Sequence, residues 1–346
     1  MALHFSTSIT HLINLVHTVT VEEVFIVTDN HCRNHCVSKL IEKDLVPAAN
    51  VFIFPQGEES KSNETYIEGI NFLANHNASR NAMILNIGGG VTTDLGGFIA
   101  TTYKRGIPFI NIPTSLLGMV DAAHGGKVGI NHGSLKNYIG AFSDPTHTII
   151  CPSFLQTLPN EHLISGYAEM LKHGIIADVT YWNALKKQSP LSVDAPFWLA
   201  HIKKSIDIKS EIVKSDPSEK GLRKILNFGH TVGHAIESHM LHTGTPILHG
   251  YAVAMGMIIE SQVACQINGL DSAASQDITS HLIDLYGSLN VKRTDVDAII
   301  KLMSFDKKND NRSIMMALPN KIGTCTYNIP VEGDIIKSCL IHTLKE

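Results

Sequence analysis

Residues 82–94 read Ala82-Met83-Ile84-Leu85-Asn86-Ile87-Gly88-Gly89-Gly90-Val91-Thr92-Thr93-Asp94. An apolar run of strand length stops on three glycines and enters what reads as a helix start. Glycine lets the backbone approach a phosphate closely, and the first helical turn offers N–H donors and the positive end of the dipole. The spacing is not the G-x-G-x-x-G fingerprint, so a tight structural turn is the competing reading. The strand–turn–helix context favours a dinucleotide or phosphate loop.

Working outward, the same punctuation recurs. Short β-branched or aromatic runs at 24–28, 50–54 and 108–112 end at Asp29-Asn30, Pro55 and Pro113, with a helical stretch at 66–75. Such alternation predicts a parallel sheet with helices on both faces. Beyond Ser153 helical periodicity dominates, at 163–176, 198–214, 231–242, 250–266 and 272–286. Strand-like runs return only at 314–318 and 325–329. The expectation is an α/β dinucleotide-binding domain over 1–150 and a mainly α-helical domain over 151–346, with the cleft between them as the default site.

Composition narrows the function. Of the 346 residues, 44% are hydrophobic and 17% charged, which excludes wholesale disorder. A formal net charge of −4 gives no basic field for nucleic acid, so a phosphorylated substrate needs a local cationic pocket. No apolar run is long enough for a membrane span, and the N-terminus lacks the marks of a signal peptide. The six cysteines are scattered and read as reduced thiols of a cytoplasmic protein. Cys32 and Cys36 could form half a metal knuckle, but no second half follows, so two thiols one helical turn apart is the preferred reading.

Three further segments carry chemistry. The stretch from Asp121 to Asn137 sets Lys127 and Lys136 in glycine-rich chain, where ammonium groups can pair with phosphate; a solvated loop is the bland alternative. Glu169 and Lys172 share a helix face in an otherwise apolar segment. They read either as a surface ion pair or as a buried pair that needs a metal, ligand or partner. His230 and His234 stand one helical turn apart, with His249 in a glycine-flanked loop nearby, and offer imidazoles to one zinc if they are not structural.

Together these segments resemble the 3-dehydroquinate synthase family over nearly the whole chain. The resemblance rests on GGGVTTDLGGFIATTYKRG (88–106), IPTSLL (112–117), VDAAHGGKVGIN (120–131), LKNYIGAF (135–142), GYAEMLKHG (166–174), GLRKILNFGHTVGHAIE (221–237) and LHGYAVAMGM (248–257). It implies the dehydroquinate synthase-like fold, with metal and substrate held by the second domain. Glu169, His230 and His249 would hold Zn2+, for which Co2+ can substitute. Asp29, Glu58, Lys61, Gly89, Gly90, Val91, Asp94, Thr114, Ser115, Phe154 and Thr157 would hold NAD. Asp121, Lys127 and Lys136 would lie where cofactor and substrate meet. Arg105, Lys127, Asn137, Lys172, Lys209, Arg223, Asn227 and Lys307 (or its neighbour Lys308) would cradle substrate, and Glu219 and His234 would transfer protons. A homodimer is implied as well. The chain departs from the family's usual Val-Gly-Gly-Lys-Thr at His124 and Val128, beside the expected site, and has Ser115 for a common threonine.

The implied reaction turns 3-deoxy-D-arabino-heptulosonate 7-phosphate into 3-dehydroquinate and phosphate, a lyase step of the shikimate pathway. Transient oxidation at C5 by NAD acidifies the C6 proton, phosphate leaves by β-elimination, hydride returns, and an intramolecular aldol closes the ring. Rivals are cyclases of sedoheptulose 7-phosphate or glucose 6-phosphate, a zinc- and NAD-dependent polyol dehydrogenase, and a non-catalytic binding descendant. Arg223 and Asn227 favour a carboxylated substrate, because an arginine suits a carboxylate that those sugars lack.

Overall fold

The computed structural model describes residues 2–19, 21, 23–41, 50–133, 135–288, 291–304 and 313–344. The chain divides into two compact units, one of Met1–Leu163 with Asp194–Lys203, the other of Ile164–Val193 with Lys204–Glu346. In chain order the elements that matter are β1 (Ala2–Phe5), α1 (Ile9–Val19), β2 (Val24–Asp29), β3 (Val51–Phe54), α2 (Asn63–Asn75), β4 (Met83–Gly88) and α3 (Gly90–Thr102). Then follow β5 (Phe109–Pro113), β6 (Lys127–His132), β7 (Leu135–Phe142), β8 (His147–Ile150), α4 (Asn160–Ala177), α5 (Val179–Lys186) and α6 (Ala195–Ser215). The chain continues through α7 (His230–His242), α8 (His249–Ile267), α9 (Ser272–Tyr286), α10 (Val296–Ser304), β9 (Ser313–Lys321), β10 (Thr324–Glu332) and α11 (Gly333–Thr343).

The first unit is built on a six-stranded parallel sheet of order β1-β8-β5-β4-β2-β3. All six residues of β4 are buried, as expected of a strand covered on both faces. Phe25, Val27, Phe52, Phe54, Ile84, Leu95, Phe98, Ile99 and Phe109 form its core. Chain order reverses between β2 and β4. In open α/β sheets that reversal opens a crevice at the carboxyl ends of the strands, where ligands bind. Here those ends are Asp29 and Gly88.

Two short strands escape a sequence reading. β1 and β8 have four residues each and pair with one another across more than 140 residues, too short for periodicity to register. A third difference is the glycine-rich segment around Lys127, expected as loop. It forms an antiparallel hairpin, β6 with β7. Gly129 lies opposite Gly140, and a Cβ on Gly129 would come within 2.6 Å of the Ile139 carbonyl, so close strand pairing itself requires glycine here. Strand alternation turns Lys127 outward and buries Val128 in the sheet core, so the departure at Val128 is a packing residue.

The second unit is mainly helical, with one antiparallel hairpin of β9 and β10. Helix α8 is buried along most of its length, with thirteen buried residues, because α7, α9, α11 and β9 all pack against it. All six cysteines are free; Cys32 and Cys36 are buried and join no metal-ligand cluster among the described residues. Nor is any helix among the described residues long and apolar enough to cross a membrane.

Candidate functional site

In the first unit, Asp29 and the Gly88–Gly90 turn lie at the strand reversal. Gly89 caps α3 with extended backbone and no side chain, so the first helical turn keeps its N–H donors uncapped by any side chain of its own. A Cβ on Gly89 would stand 3.2 Å from Ser115 Oγ, and one on Gly90 would stand 3.1 Å from Ala122 Cβ. A side chain at either position would press on its neighbour. Asp29 Oδ1 accepts from the Cys32 amide at 2.7 Å, and Thr114 Oγ1 lies 3.3 Å from Cys32 Sγ. Asp121 sits in the π-helical turn Gly118–Ala122. Phe154 is buried in the 3-10 turn Pro152–Thr157, whose Thr157 is exposed. These features fit an anionic dinucleotide.

Next to that loop lies a polar chain. Lys61, only 4% exposed, donates to Asp94 Oδ2 at 2.5 Å and also to Asn137 Oδ1. Asn137 has a left-handed φ of +53°, and its amide donates to Asn131 Oδ1 at 2.8 Å. Asn131 Nδ2 in turn donates to Glu58 Oε1 at 2.9 Å. Burial raises the Asp94 carboxyl above the usual range, against the opposing charge of Lys61. Asn131 has no role visible in the sequence; only its place opposite β7 reveals one.

Other expected residues of the first unit lie at separate points along its elements. Lys127 and Lys136 lie towards opposite ends of the hairpin, their Cα atoms about 14 Å apart by strand rise. Arg105 follows the far end of α3 with φ +72°, roughly 20 Å along the helix axis from Gly90. Buried His124 sets Nε2 2.7 Å from the Met119 carbonyl, which can only accept, so Nε2 carries the proton. Lys307 and Lys308 lie outside the described residues.

The second unit brings Glu169, Lys172, His230, His234 and His249 together. Glu169 is fully buried on α4 and ion-paired with Lys172 one turn later, so the buried reading of that pair is correct. Yet neither Glu169 oxygen accepts a hydrogen bond among the described residues. His230 Nε2 stands 3.5 Å from Glu169 Oε1 and His249 Nε2 stands 3.8 Å from it. Ligand atoms around a tetrahedral zinc with bonds near 2.1 Å stand about 3.4 Å apart. Both rings have their other nitrogen tied back: His230 Nδ1 donates to the Phe228 carbonyl at 3.2 Å, and His249 Nδ1 lies 3.5 Å from Glu237 Oε2. That is how metal-binding imidazoles are oriented. The residues fit zinc.

His234 joins the same cluster, its ligand atom within 4.8 Å of those of His230 and His249. Its ring packs edge-on to His230 with centroids 5.0 Å apart. His249 is not in a loop, as its flanking glycine implies; it is the first residue of α8, after the extended cap Leu248. Close contact of α7 with α8 makes the cluster possible. A Cβ on Gly256 would fall 1.9 Å from the Gly229 carbonyl, and Gly229 itself adopts φ +80°.

The electrostatics follow from burial opposed by charge. Burial would raise the Glu169 carboxyl, but Lys172, His230 and His249 outweigh it and hold the group well below the usual range. Burial and then Lys172 push His230 well below its ordinary value, towards the neutral form that binds metal. For His249 burial acts downward, but Glu169 and Glu237 lift it to about 9. Glu260, fully buried, is raised to about 8 by burial against the Val232, Gly229 and Thr231 amides. Neither Glu237 nor Glu260 has a role legible in the sequence, because both act on residues far away in the chain.

The remaining polar candidates stand just before α7. Asp216 accepts the amides of Gly221 at 2.6 Å, Lys220 at 3.1 Å and Arg223 at 3.1 Å, which pins that loop. Arg223 is buried, with Nη1 donating to the Pro217 carbonyl at 2.9 Å. Asn227 Nδ2 donates to Glu219 Oε1 at 3.0 Å. Lys209 is buried on α6.

Comparison with known proteins identifies the family. A 3-dehydroquinate synthase from Parabacteroides distasonis is 36% identical over 319 residues, covering 92% of this chain and 90% of the relative. Among solved structures, a 2-epi-5-epi-valiolone synthase from Streptomyces hygroscopicus subsp. jinggangensis with NAD+ and Zn2+ bound superposes with TM-score 0.86 at 26% identity, covering 99% of this chain and 96% of that one. A 2-deoxy-scyllo-inosose synthase, complexed with carbaglucose-6-phosphate, NAD+ and Co2+, gives the same TM-score of 0.86 and the same coverages at 24% identity, a likeness of fold alone. Residues 51–165 match the 3-dehydroquinate synthase N-terminal family and residues 166–309 its C-terminal counterpart. The chain belongs to the 3-dehydroquinate synthase family.

Proposed function

We propose that the chain converts 3-deoxy-D-arabino-heptulosonate 7-phosphate into 3-dehydroquinate and phosphate, as a lyase that uses NAD and Zn2+ and is active as a homodimer. One observation carries the reading: a fully buried glutamate, ion-paired with Lys172, is faced by two imidazole nitrogens that stand at ligand spacing from it and whose rings are tied back to a carbonyl and a carboxylate. Glu169, His230 and His249 are the metal ligands on this reading. The curated relatives are 3-dehydroquinate synthases, and the two solved neighbours carry NAD+ with Zn2+ or Co2+.

When bound, zinc would polarise substrate hydroxyls, and NAD+ would supply reversible hydride transfer at C5. The protein's own residues position the substrate and move its protons. Arg223, fixed by Asp216 and Pro217, keeps guanidinium donors for the substrate carboxylate. Lys172 and Lys209, both buried in the second unit, would add positive charge for the substrate's anions on this reading. His234 takes the proton of the C5 hydroxyl on one ring nitrogen, which direct metal coordination would deny it. Glu219, oriented by Asn227, handles the second proton transfer. Assay of phosphate release from the heptulosonate phosphate, with NAD+ and zinc supplied, tests the reading; no release would end it.

A further inference from the structure

Helix α7 begins at His230, directly after Gly229, which has no side chain to cap it. The cap comes instead from another helix. Glu260, on α8 and completely buried, accepts the Gly229 amide on Oε2 at 2.6 Å and the Val232 amide on Oε1 at 3.0 Å. His230 lies between the two clamped amides. The carboxyl group thus fixes the backbone on either side of His230, and with it the direction in which its side chain leaves the helix. The ring rotation is fixed separately, by the bond from Nδ1 to Phe228. A fully buried acid carries a desolvation cost, and the reaction proposed above makes no use of it.

We propose that Glu260 is a positioning residue for the metal centre: it holds the start of α7 so that His230 aims its Nε2 at the point shared with Glu169 and His249. The proposal rests on the zinc reading above. Removing such outer partners typically weakens metal binding about 10–100-fold. Glu260→Gln keeps the volume but sets an NH2 group against one backbone N–H; Glu260→Asp keeps the carboxyl group but cannot span both amides.

The test is chelator-competition titration of zinc on purified wild type, Glu260→Gln, Glu260→Asp, His230→Ala and Asp277→Asn. The last weakens an anchor of Trp182 and Lys186 and controls for general destabilisation. Melting temperatures of the metal-free proteins are recorded alongside. The expected result is a 10–100-fold weaker zinc affinity for Glu260→Gln, a smaller loss for Glu260→Asp, and wild-type affinity for Asp277→Asn. Wild-type affinity in a folded Glu260→Gln or Glu260→Asp, or an equal loss in Asp277→Asn, overturns the proposal and leaves Glu260 a purely structural cap. Equal zinc affinity in wild type and His230→Ala instead overturns the zinc reading itself.

Discussion

Asn227 Nδ2 donates to Glu219 Oε1 at 3.0 Å, across eight residues of chain and a left-handed turn at Glu219 with φ +56°. Two residues singled out for different tasks are therefore one unit, with the amide aiming the carboxylate. Glu219→Gln should lower kcat by about 10²–10⁴-fold, the usual weight of a positioned proton-transfer group. Asn227→Ala should lower it by about 10–100-fold through loss of aim. Steady-state kinetics of the double variant decide the coupling: losses that multiply would mean the two residues act separately.

Lys61 ties the nucleotide loop to Asn137. Lys61→Ala leaves the Asp94 carboxylate without its cation and Asn137 without a donor. It should destabilise the protein by about 1–3 kcal/mol and weaken NAD+ binding. Urea denaturation and NAD+ titration check both; unchanged values in each would exclude the polar chain as a support of the loop.

The helix punctuation of this protein is readable because each signal is local. β4, Gly88–Gly90 and α3 fall within one short stretch, and α7, α8 and α9 begin within one residue of where periodicity places them. What escapes is nonlocal. The pairing of β1 with β8 depends on residues at opposite ends of the first unit's sequence. The glycines of β6 and β7 look like a ligand loop because glycine permits either use, and only strand pairing distinguishes them. The site divides in the same way. Glu169, His230 and His249 can be named from the family resemblance, whereas Asn131, Glu237 and Glu260 act through side chains that reach residues from 6 to 73 positions away.

Arg223 is assigned the substrate carboxylate. Arg223→Ala should reduce the preference for the carboxylated seven-carbon substrate over sedoheptulose 7-phosphate by an amount corresponding to about 2–5 kcal/mol. Comparison of kcat/KM for the two sugars measures it. An unchanged ratio would remove Arg223 from carboxylate recognition.

His234 and His249 occupy one cluster but should respond differently to substitution. His249→Ala should lose both zinc and turnover. His234→Ala should retain about one zinc per chain, since three protein ligands suffice for a catalytic zinc, and still lose most turnover. Metal analysis of the purified variants separates the roles; a metal-free His234→Ala beside a zinc-replete His249→Ala would reverse them.

The most direct measurement is product analysis with purified protein, zinc and a sub-stoichiometric amount of NAD+. In the proposed reaction, 3-deoxy-D-arabino-heptulosonate 7-phosphate yields 3-dehydroquinate and equimolar phosphate over many turnovers of each NAD+. NADH does not accumulate, and chelation stops the reaction until zinc is restored. Release of phosphate from sedoheptulose 7-phosphate or glucose 6-phosphate in preference, or NADH accumulating with each substrate consumed, would contradict it.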